Sequence, residues 1–138
     1  MGRVIDTTVF ITMERRGLSL AALRDTIPEE EEIALAAVTV SEMLAGIYRA
    51  SDPVRRRTRE IFLDAILDAV AVLPFDLRVA RTYGRLWADL TTKGQFPGVH
   101  DAQIAATALT HGYEVLTENP SDFERVEGLS VSTPKWPR

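Results

Sequence analysis

Asp6 is the first residue of this sequence that could do chemistry, because it is a lone carboxylate inside an apolar run. In "RVIDTTVFI", residues 3 to 11, it is followed by two threonines and then by a second apolar stretch. Burying an unpaired carboxylate is costly, so buried acids are usually paired, hydrogen-bonded or bound to a metal ion. Asp6 therefore needs a partner from elsewhere in the chain.

Three more acids, Glu42, Asp101 and Asp122, can reach the same place. Glu42 lies one turn into the helix predicted after the second strand, and Asp101 lies in the first turn of a later helix. Asp122 follows the fourth predicted strand, together with Asn119. Ligands of open parallel sheets bind outside the carboxyl ends of the strands. If the first and fourth strands are central neighbours, we expect these side chains to converge at that edge.

Carboxylates that converge without a counter-charge repel one another, which raises their pKa values and costs stability. A hard divalent cation relieves the repulsion, and oxygen ligands favour magnesium or manganese over zinc. The sequence contains no cysteine, and His100 and His111 have no compact metal-ligand spacing. The acids therefore favour a magnesium site, with manganese as the alternative.

Each acid also has a purely structural interpretation. Asp6 could be the N-cap of the helix that follows it. "TVSE" fits a capping box in which Glu42 reaches back to Thr39. Asp101 near a helix N-terminus is favoured by the helix dipole, and Asp122 is an ordinary turn residue. The four acids together are harder to explain by capping than any one of them.

The elements that must position these acids alternate between strands and helices. Strands are predicted at residues 3–6, 33–39, 71–75, 113–117 and 129–133. Helices are predicted at residues 8–16, 18–27, 40–50, 53–70, 77–93 and 100–111. The first and last helices end at Gly17 and Gly112, and Asp52 caps the fourth, whose predicted inner face is Ile61, Ala65 and Ile66. Such alternation predicts an α/β fold with a parallel sheet covered on both faces.

The bulk composition is that of an ordinary globular protein. With 138 residues, 46% hydrophobic and 26% charged, the chain fits a single domain, residues 1–138. It has neither a signal-peptide pattern nor an apolar run long enough for a membrane helix, so we expect a cytoplasmic protein with no membrane partner.

The charge balance is less simple, because the net charge of -4 taken alone argues against a nucleic-acid partner. Arginines are nevertheless clustered, and arginine suits bidentate phosphate contacts. The clustered arginines are Arg49, Arg55, Arg56, Arg57 and Arg59, with a further stripe of Arg78, Arg81 and Arg85.

Four segments carry a family resemblance. "VIDTTVFI", "VTVSEMLAGI", "HDAQIAATAL" and "VLTENPSDFERVEGLSV" occur in the order and spacing of a PIN-domain ribonuclease. The whole chain resembles a VapC-type toxin of a bacterial toxin-antitoxin pair. The resemblance implies a three-layer α/β/α sandwich with a central parallel sheet of four to five strands. It also implies a magnesium-dependent endoribonuclease site.

Carried over by position, the resemblance assigns metal binding to Asp6 and Asp101, and the family's helical glutamate matches Glu42. The fourth residue of the site is either Asn119 or Asp122, and we take Asp122 as the fourth catalytic candidate. The mechanism that fits is metal-assisted hydrolysis of a phosphodiester. Thr8 and Thr117 match small hydroxyl positions that support the ligands or the attacking water.

The resemblance also implies partners. These are an RNA substrate, either tRNA or ribosomal RNA, a cognate antitoxin and a second copy of the chain in a homodimer. In the family the antitoxin covers the early helices, so the apolar residues of "TVFITM" and "LSLAAL" are candidates for its groove and for dimer contacts. The clustered arginines would hold the RNA backbone on either side of the acids.

Two other functions remain open. One is a metal-dependent phosphatase-like hydrolase on a similar sheet, which would cleave small phosphate esters but not RNA. The other is a non-catalytic PIN-like binding module, which would cleave neither.

Overall fold

The computed structural model describes all 138 residues and has alternating strands and helices. Its strands are β1 (Gly2–Ile5), β2 (Glu32–Ala36), β3 (Ala71–Leu73), β4 (Glu114–Leu116) and β5 (Val131–Ser132). Its helices are α1 (Thr7–Arg16), α2 (Leu20–Asp25), α3 (Ala37–Arg49), α4 (Pro53–Ala69), α5 (Leu77–Thr92) and α6 (Val99–His111). One turn of 3-10 helix, Pro120–Asp122, follows β4.

The five strands form one parallel sheet in the order β3-β2-β1-β4-β5. The predicted α/β class and parallel sheet are therefore confirmed, as is the adjacency of the first and fourth strands. Ile5 of β1 is in register with Leu116 of β4. Asp6 and Thr117 consequently leave the sheet side by side, at its carboxyl edge.

The core lies on both faces of the sheet, as alternation along a strand requires. Val4 belongs to a cluster formed with α5 and α6, which includes Leu90 and Ile104. Its neighbour Ile5 belongs to a cluster formed with α1, α2 and α4, which includes Met13 and Ile66. The molecule thus has the three layers expected of an α/β/α sandwich.

Two predicted helix stops are confirmed, since Gly17 and Gly112 end α1 and α6 with φ of 64° and 68°. These left-handed conformations suit glycine, which lacks a Cβ. The predicted cap of α4 is also confirmed, because the backbone N–H of Val54 donates to Asp52 at 3.0 Å.

The predicted extent of the second strand is wrong. The strand ends at Ala36, and Thr39 lies fully buried inside α3. Glu42 therefore cannot form a capping box with Thr39, and α3 begins at Ala36 without any side-chain cap. The cause is the apolar run, whose residues fit a buried strand and a buried helix start equally well.

The predicted inner face of α4 is also wrong in part. Ile66 is buried as expected, but Ile61 is 55% exposed and Ala65 is exposed. The second buried residue of α4 is Leu63, which lies three residues before Ile66 and therefore on the same side of the helix. No helix is long and apolar enough to cross a membrane.

Candidate active site

Asp6 lies at the carboxyl end of β1 and is only 3% exposed. Its Oδ2 accepts hydrogen bonds from the hydroxyls of Thr8, at 2.6 Å, and Thr117, at 2.8 Å. It occupies the N-cap position of α1 but makes no side-chain capping bond, so capping does not account for it. Oδ1 of Asp6 takes part in no hydrogen bond and remains available to a ligand.

The same two hydroxyls fix the loop after β4 against α1. Thr8 Oγ1 accepts the backbone N–H of Glu118 at 3.1 Å, and Thr117 Oγ1 accepts that of Asn119 at 3.0 Å. The side chain of Glu118 then accepts a hydrogen bond from Thr12 at 2.7 Å. Thr8 and Thr117 therefore support the Asp6 carboxylate and the backbone around it.

Glu42 reaches the same edge from α3. Its Oε1 accepts the hydroxyl of Thr7 at 2.8 Å, and its Oε2 lies 3.4 Å from Nδ1 of His100. Glu42 thus connects α1, α3 and the start of α6. The sequence did not single out Thr7 or His100 as contacts of an acid, although each is the chain neighbour of one, Asp6 or Asp101.

The pKa of Asp101 depends on its burial and on the charges of the other three acids. Burial raises its pKa first, and the charges of Asp6, Asp122 and Glu42 raise it further, to about 6. His100 acts in the opposite direction. The repulsion expected of convergent carboxylates is therefore present, and four residues from distant parts of the chain share one electrostatic site.

Asn119 and Asp122 are the two candidates for the fourth site residue. Both residues are exposed, but the charge of Asp122 raises the pKa of Asp101. The side chain of Asn119 makes no hydrogen bond, and its backbone serves the loop through Thr117.

The groups that the site offers to a metal ion are carboxylate oxygens. No group of three or more histidine, cysteine or acidic side chains is arranged to hold a metal ion. Magnesium commonly takes only one or two protein carboxylates and keeps several waters. The free Oδ1 of buried Asp6 and the unrelieved repulsion on Asp101 fit a hard cation bound in that way.

A groove of about 610 Å³ opens beside Glu42 and His100 and runs between α1, α3 and α4. Its apolar lining includes Phe10, Ile11 and Phe62, and Ile11 is 55% exposed. Of the two segments predicted to line a partner groove, "TVFITM" contributes Phe10 and Ile11 to this one. No residue of "LSLAAL" lines it, because the leucines of that segment pack into the core.

A parallel sheet with acids at the carboxyl ends of its central strand β1 and the neighbouring β4 defines an α/β/α protein with an acidic site at that edge. Residues 3–129 match the model of the PIN domain. The chain is 34% identical over 133 residues to Ribonuclease VapC1 of Rickettsia felis, which covers 96% of both chains. It therefore belongs to the PIN domain family, and its similarity within that family is to VapC ribonucleases.

Two further similarities bear on function. The tRNA(fMet)-specific endonuclease VapC of Shigella flexneri is 29% identical over 98 residues, which cover 71% of this chain and 72% of that one. The crystal structure of VapBC-5 from Mycobacterium tuberculosis, a member of the VapBC family of toxin-antitoxin systems, matches at 29% identity. Its TM-score is 0.75, and the match covers 96% of this chain and 97% of that one.

Proposed function

We propose that the protein is an endoribonuclease toxin that an antitoxin neutralises and that acts in the cytoplasm as one PIN-like domain, residues 1–138. The observation that carries the proposal is the buried Asp6 carboxylate at the carboxyl end of β1, which two threonine hydroxyls hold by Oδ2 while Oδ1 makes no hydrogen bond. The raised pKa of Asp101, to which Asp6, Glu42 and Asp122 contribute, supports it. The similarity to proteins named as VapC ribonucleases supports the same reaction.

The site is proposed to use magnesium, with manganese able to replace it. Asp6 and Asp101 would hold the ion, because the first has an oxygen without a hydrogen bond and the second gains most from a nearby positive charge. When bound, such an ion stabilises charge that develops on the phosphate and favours ionisation of a water.

The protein's own groups then have separate tasks. Thr8 and Thr117 hold Oδ2 of Asp6, so that Oδ1 stays turned to the site. Thr7 holds one oxygen of Glu42, and the other, which faces His100, would orient the attacking water and accept its proton. Asp122 completes the negative charge at the open side of the site.

The proposed substrate is a folded cellular RNA, a tRNA or a ribosomal RNA. The similarity to a tRNA(fMet)-specific endonuclease supports a tRNA. The acids repel phosphates, so the RNA must be held by groups outside the acidic site.

The groove between α1, α3 and α4 is the proposed antitoxin site. Its apolar side chains suit an amphipathic segment, and its end at Glu42 suits a basic residue of that segment. A segment bound there would cover the acidic site. The similarity to a VapBC structure supports an antitoxin partner.

A homodimer is proposed as well, and α5 offers a surface for it. Leu77 is 65% exposed, Trp87 is 52% exposed, and nearby Phe75 is 43% exposed. Exposed apolar patches of this kind often mark interfaces. Analytical ultracentrifugation measures the oligomeric state of the wild type and of Trp87→Ser. We expect the variant to be monomeric, and an unchanged dimer would place the interface elsewhere.

The decisive experiment incubates the purified protein with total cellular RNA, with and without magnesium, beside Asp6→Asn. We expect cleavage only by the wild type and only with the ion. Asp76→Asn is the matched control, because asparagine caps a helix as well as aspartate and Asp76 caps α5 and lines neither cavity. Equal cleavage by wild type and Asp6→Asn would reject the site.

The phosphatase alternative is tested in parallel with p-nitrophenyl phosphate. Hydrolysis of this ester without RNA cleavage would replace the proposed function. Loss of both activities, with no growth arrest on expression, would favour the binding module.

A further inference from the structure

A second, smaller pocket of about 250 Å³ lies where α3 passes into α4. Its lining residues are Gly46, Arg49, Ala50, Ser51, Asp52, Arg55 and Arg59. Three of its seven residues are arginines, whereas the active-site edge is acidic. We refer to it as the arginine pocket.

The structure separates the clustered arginines into two groups. Arg56 donates to the backbone carbonyl of Tyr48 at 2.9 Å, and Arg57 pairs with Glu60 at 3.3 Å. Neither lines the arginine pocket. Both therefore stabilise the surface of α4 and its connection to α3.

The arginines of the pocket are differently engaged. Arg59 pairs with Glu14 at 3.0 Å and donates to the carbonyl of Gly46 at 3.1 Å. Arg49 and Arg55 make no hydrogen bond and no ion pair. The acid of the pocket, Asp52, is used by the backbone N–H of Val54. Two guanidinium groups are thus available to an anion.

The arginine pocket continues into the groove that reaches the active site. The two cavities share Gly46, Arg49 and Arg59, and the groove extends to Glu42 and His100. Arg49 follows Glu42 by seven residues on α3, a rise of about 10 Å along the helix axis. One continuous surface therefore has carboxylates at one end and free guanidinium groups at the other.

We propose that the arginine pocket binds a backbone phosphate of the RNA strand that is cut, outside the acidic site. The inference rests on the proposed ribonuclease function and adds the contact that holds the substrate. A guanidinium group matches a phosphate with two parallel hydrogen bonds, and Arg49 and Arg55 have none of their own to give up. Positive charge at this distance offsets the repulsion between RNA and the acids.

The test is a binding titration with a fluorescent single-stranded RNA 12-mer, in which every protein also carries Asp6→Asn to prevent cleavage. The test variant adds Arg49→Ala and Arg55→Ala. The control adds Arg15→Ala and Arg138→Ala, which remove the same charge from exposed residues that line neither cavity. We expect Kd to rise roughly tenfold in the test variant, the effect of one charge-assisted contact. Its dependence on salt should flatten by about one unit of slope. The control should bind like the parent.

Cleavage kinetics give an independent reading, with Asp6 restored. The test variant should raise KM roughly tenfold and keep kcat, because the pocket binds substrate away from the reacting atoms. Circular dichroism checks folding, and Arg55→Gln alone, with a smaller rise in KM, serves if the double variant is unstable.

The outcomes separate the two proposals. A wild type that cleaves RNA, with a test variant of equal Kd and KM, overturns the phosphate site alone. A wild type that cleaves no RNA overturns the proposed function first. Unchanged RNA affinity with weakened binding of a polyglutamate peptide would assign the pocket to a carboxylate of a protein partner and also overturn the proposal.

Discussion

Three aspartates stand immediately before helices in this protein, and they are used in two ways. Asp52 and Asp76 cap α4 and α5 by accepting the backbone N–H of Val54 at 3.0 Å and of Val79 at 3.1 Å. Asp6 stands in the same position before α1 and caps nothing. Its carboxylate is buried and is held by two threonine hydroxyls instead.

The comparison shows that position along the chain does not decide what a helix-start aspartate does. Asp52 and Asp76 are exposed, so a single backbone N–H is enough to engage each of them. Asp6 follows a central strand and is surrounded by other acids, where its charge raises the pKa of Asp101. A buried acid that makes no capping bond and repels its neighbours costs stability, which is consistent with the functional role proposed for Asp6.

The largest expected effect is on the rate of RNA cleavage, which should depend on the acids of the site and not on the capping aspartates. Asp101→Asn should lower the initial rate of RNA cleavage roughly a hundredfold or more, because it removes a charge that acts in the reaction. Asp76→Asn should leave the rate unchanged, since asparagine remains a good N-cap. An Asp101→Asn protein within a few-fold of the wild type would break the comparison.

The next effect concerns the hydroxyls that replace a cap. Thr117→Val removes the donor to Asp6 and leaves the N–H of Asn119 without its acceptor. We expect a loss of about 2 kcal/mol in the free energy of unfolding, measured by urea denaturation. Thr58→Val is the control, because Thr58 is exposed and bonds only within its own helix. Equal losses in the two variants would mean that the buried hydroxyl has no special role.

A smaller effect has the opposite sign. In wild type, the folded pKa of Asp101 is about 6, above its ordinary value of 3.8. The folded state then binds more protons between these values, so this residue's contribution to stability falls as pH rises through the window. Above pH 6 the penalty is complete, and Asp101→Asn should be more stable than wild type by about 1.5 kcal/mol after solvent screening.

The measurement is the Tm of both proteins from pH 4 to pH 8, without divalent ions. The advantage of Asp101→Asn should grow with pH across the window and level off above it. For the control Asp64→Asn, at an exposed position of α4, the difference in Tm from wild type should not grow with pH. A constant difference at every pH would contradict a raised pKa of Asp101 in the folded protein.

The smallest effect belongs to an ordinary cap. Asp76→Ala should lower the free energy of unfolding by about 1 kcal/mol and leave the rate of RNA cleavage intact. Thermal denaturation together with the cleavage assay checks both parts. A loss of cleavage without a loss of stability would mean that Asp76 acts in the reaction and does not only cap α5.

The sequence predicts the location of the acids well, because that location depends on long, regular patterns. The apolar runs before Asp6 and Asn119 read as strands, and the helix of Asp101 has Ile104 and Ala108 on its buried side as expected. Parallel strands bring such positions to one edge whatever the details of packing. The convergence of the acids followed from this.

What the sequence could not give depends on side-chain partners and on helix phase. "TVSE" matches a capping box, yet the helix begins three residues earlier and Thr7 takes the bond to Glu42 instead. Five clustered arginines look alike in sequence, and only the structure shows that Arg49 and Arg55 are free. Similarly, the apolar residues of α4 allowed more than one inner face, and packing selected Leu63 over Ile61.

The pairing of β1 with β4 has a consequence for synthesis on the ribosome. The hydroxyl of Thr117 reaches Asp6 across a separation of 111 residues, and Asp122 arrives later still. A nascent chain therefore carries Asp6 and Glu42 long before β4 is available to pair with β1. Because pairing between strands so distant in sequence must wait for the later strand, the acidic edge can form only after residues 114–122 have been synthesised.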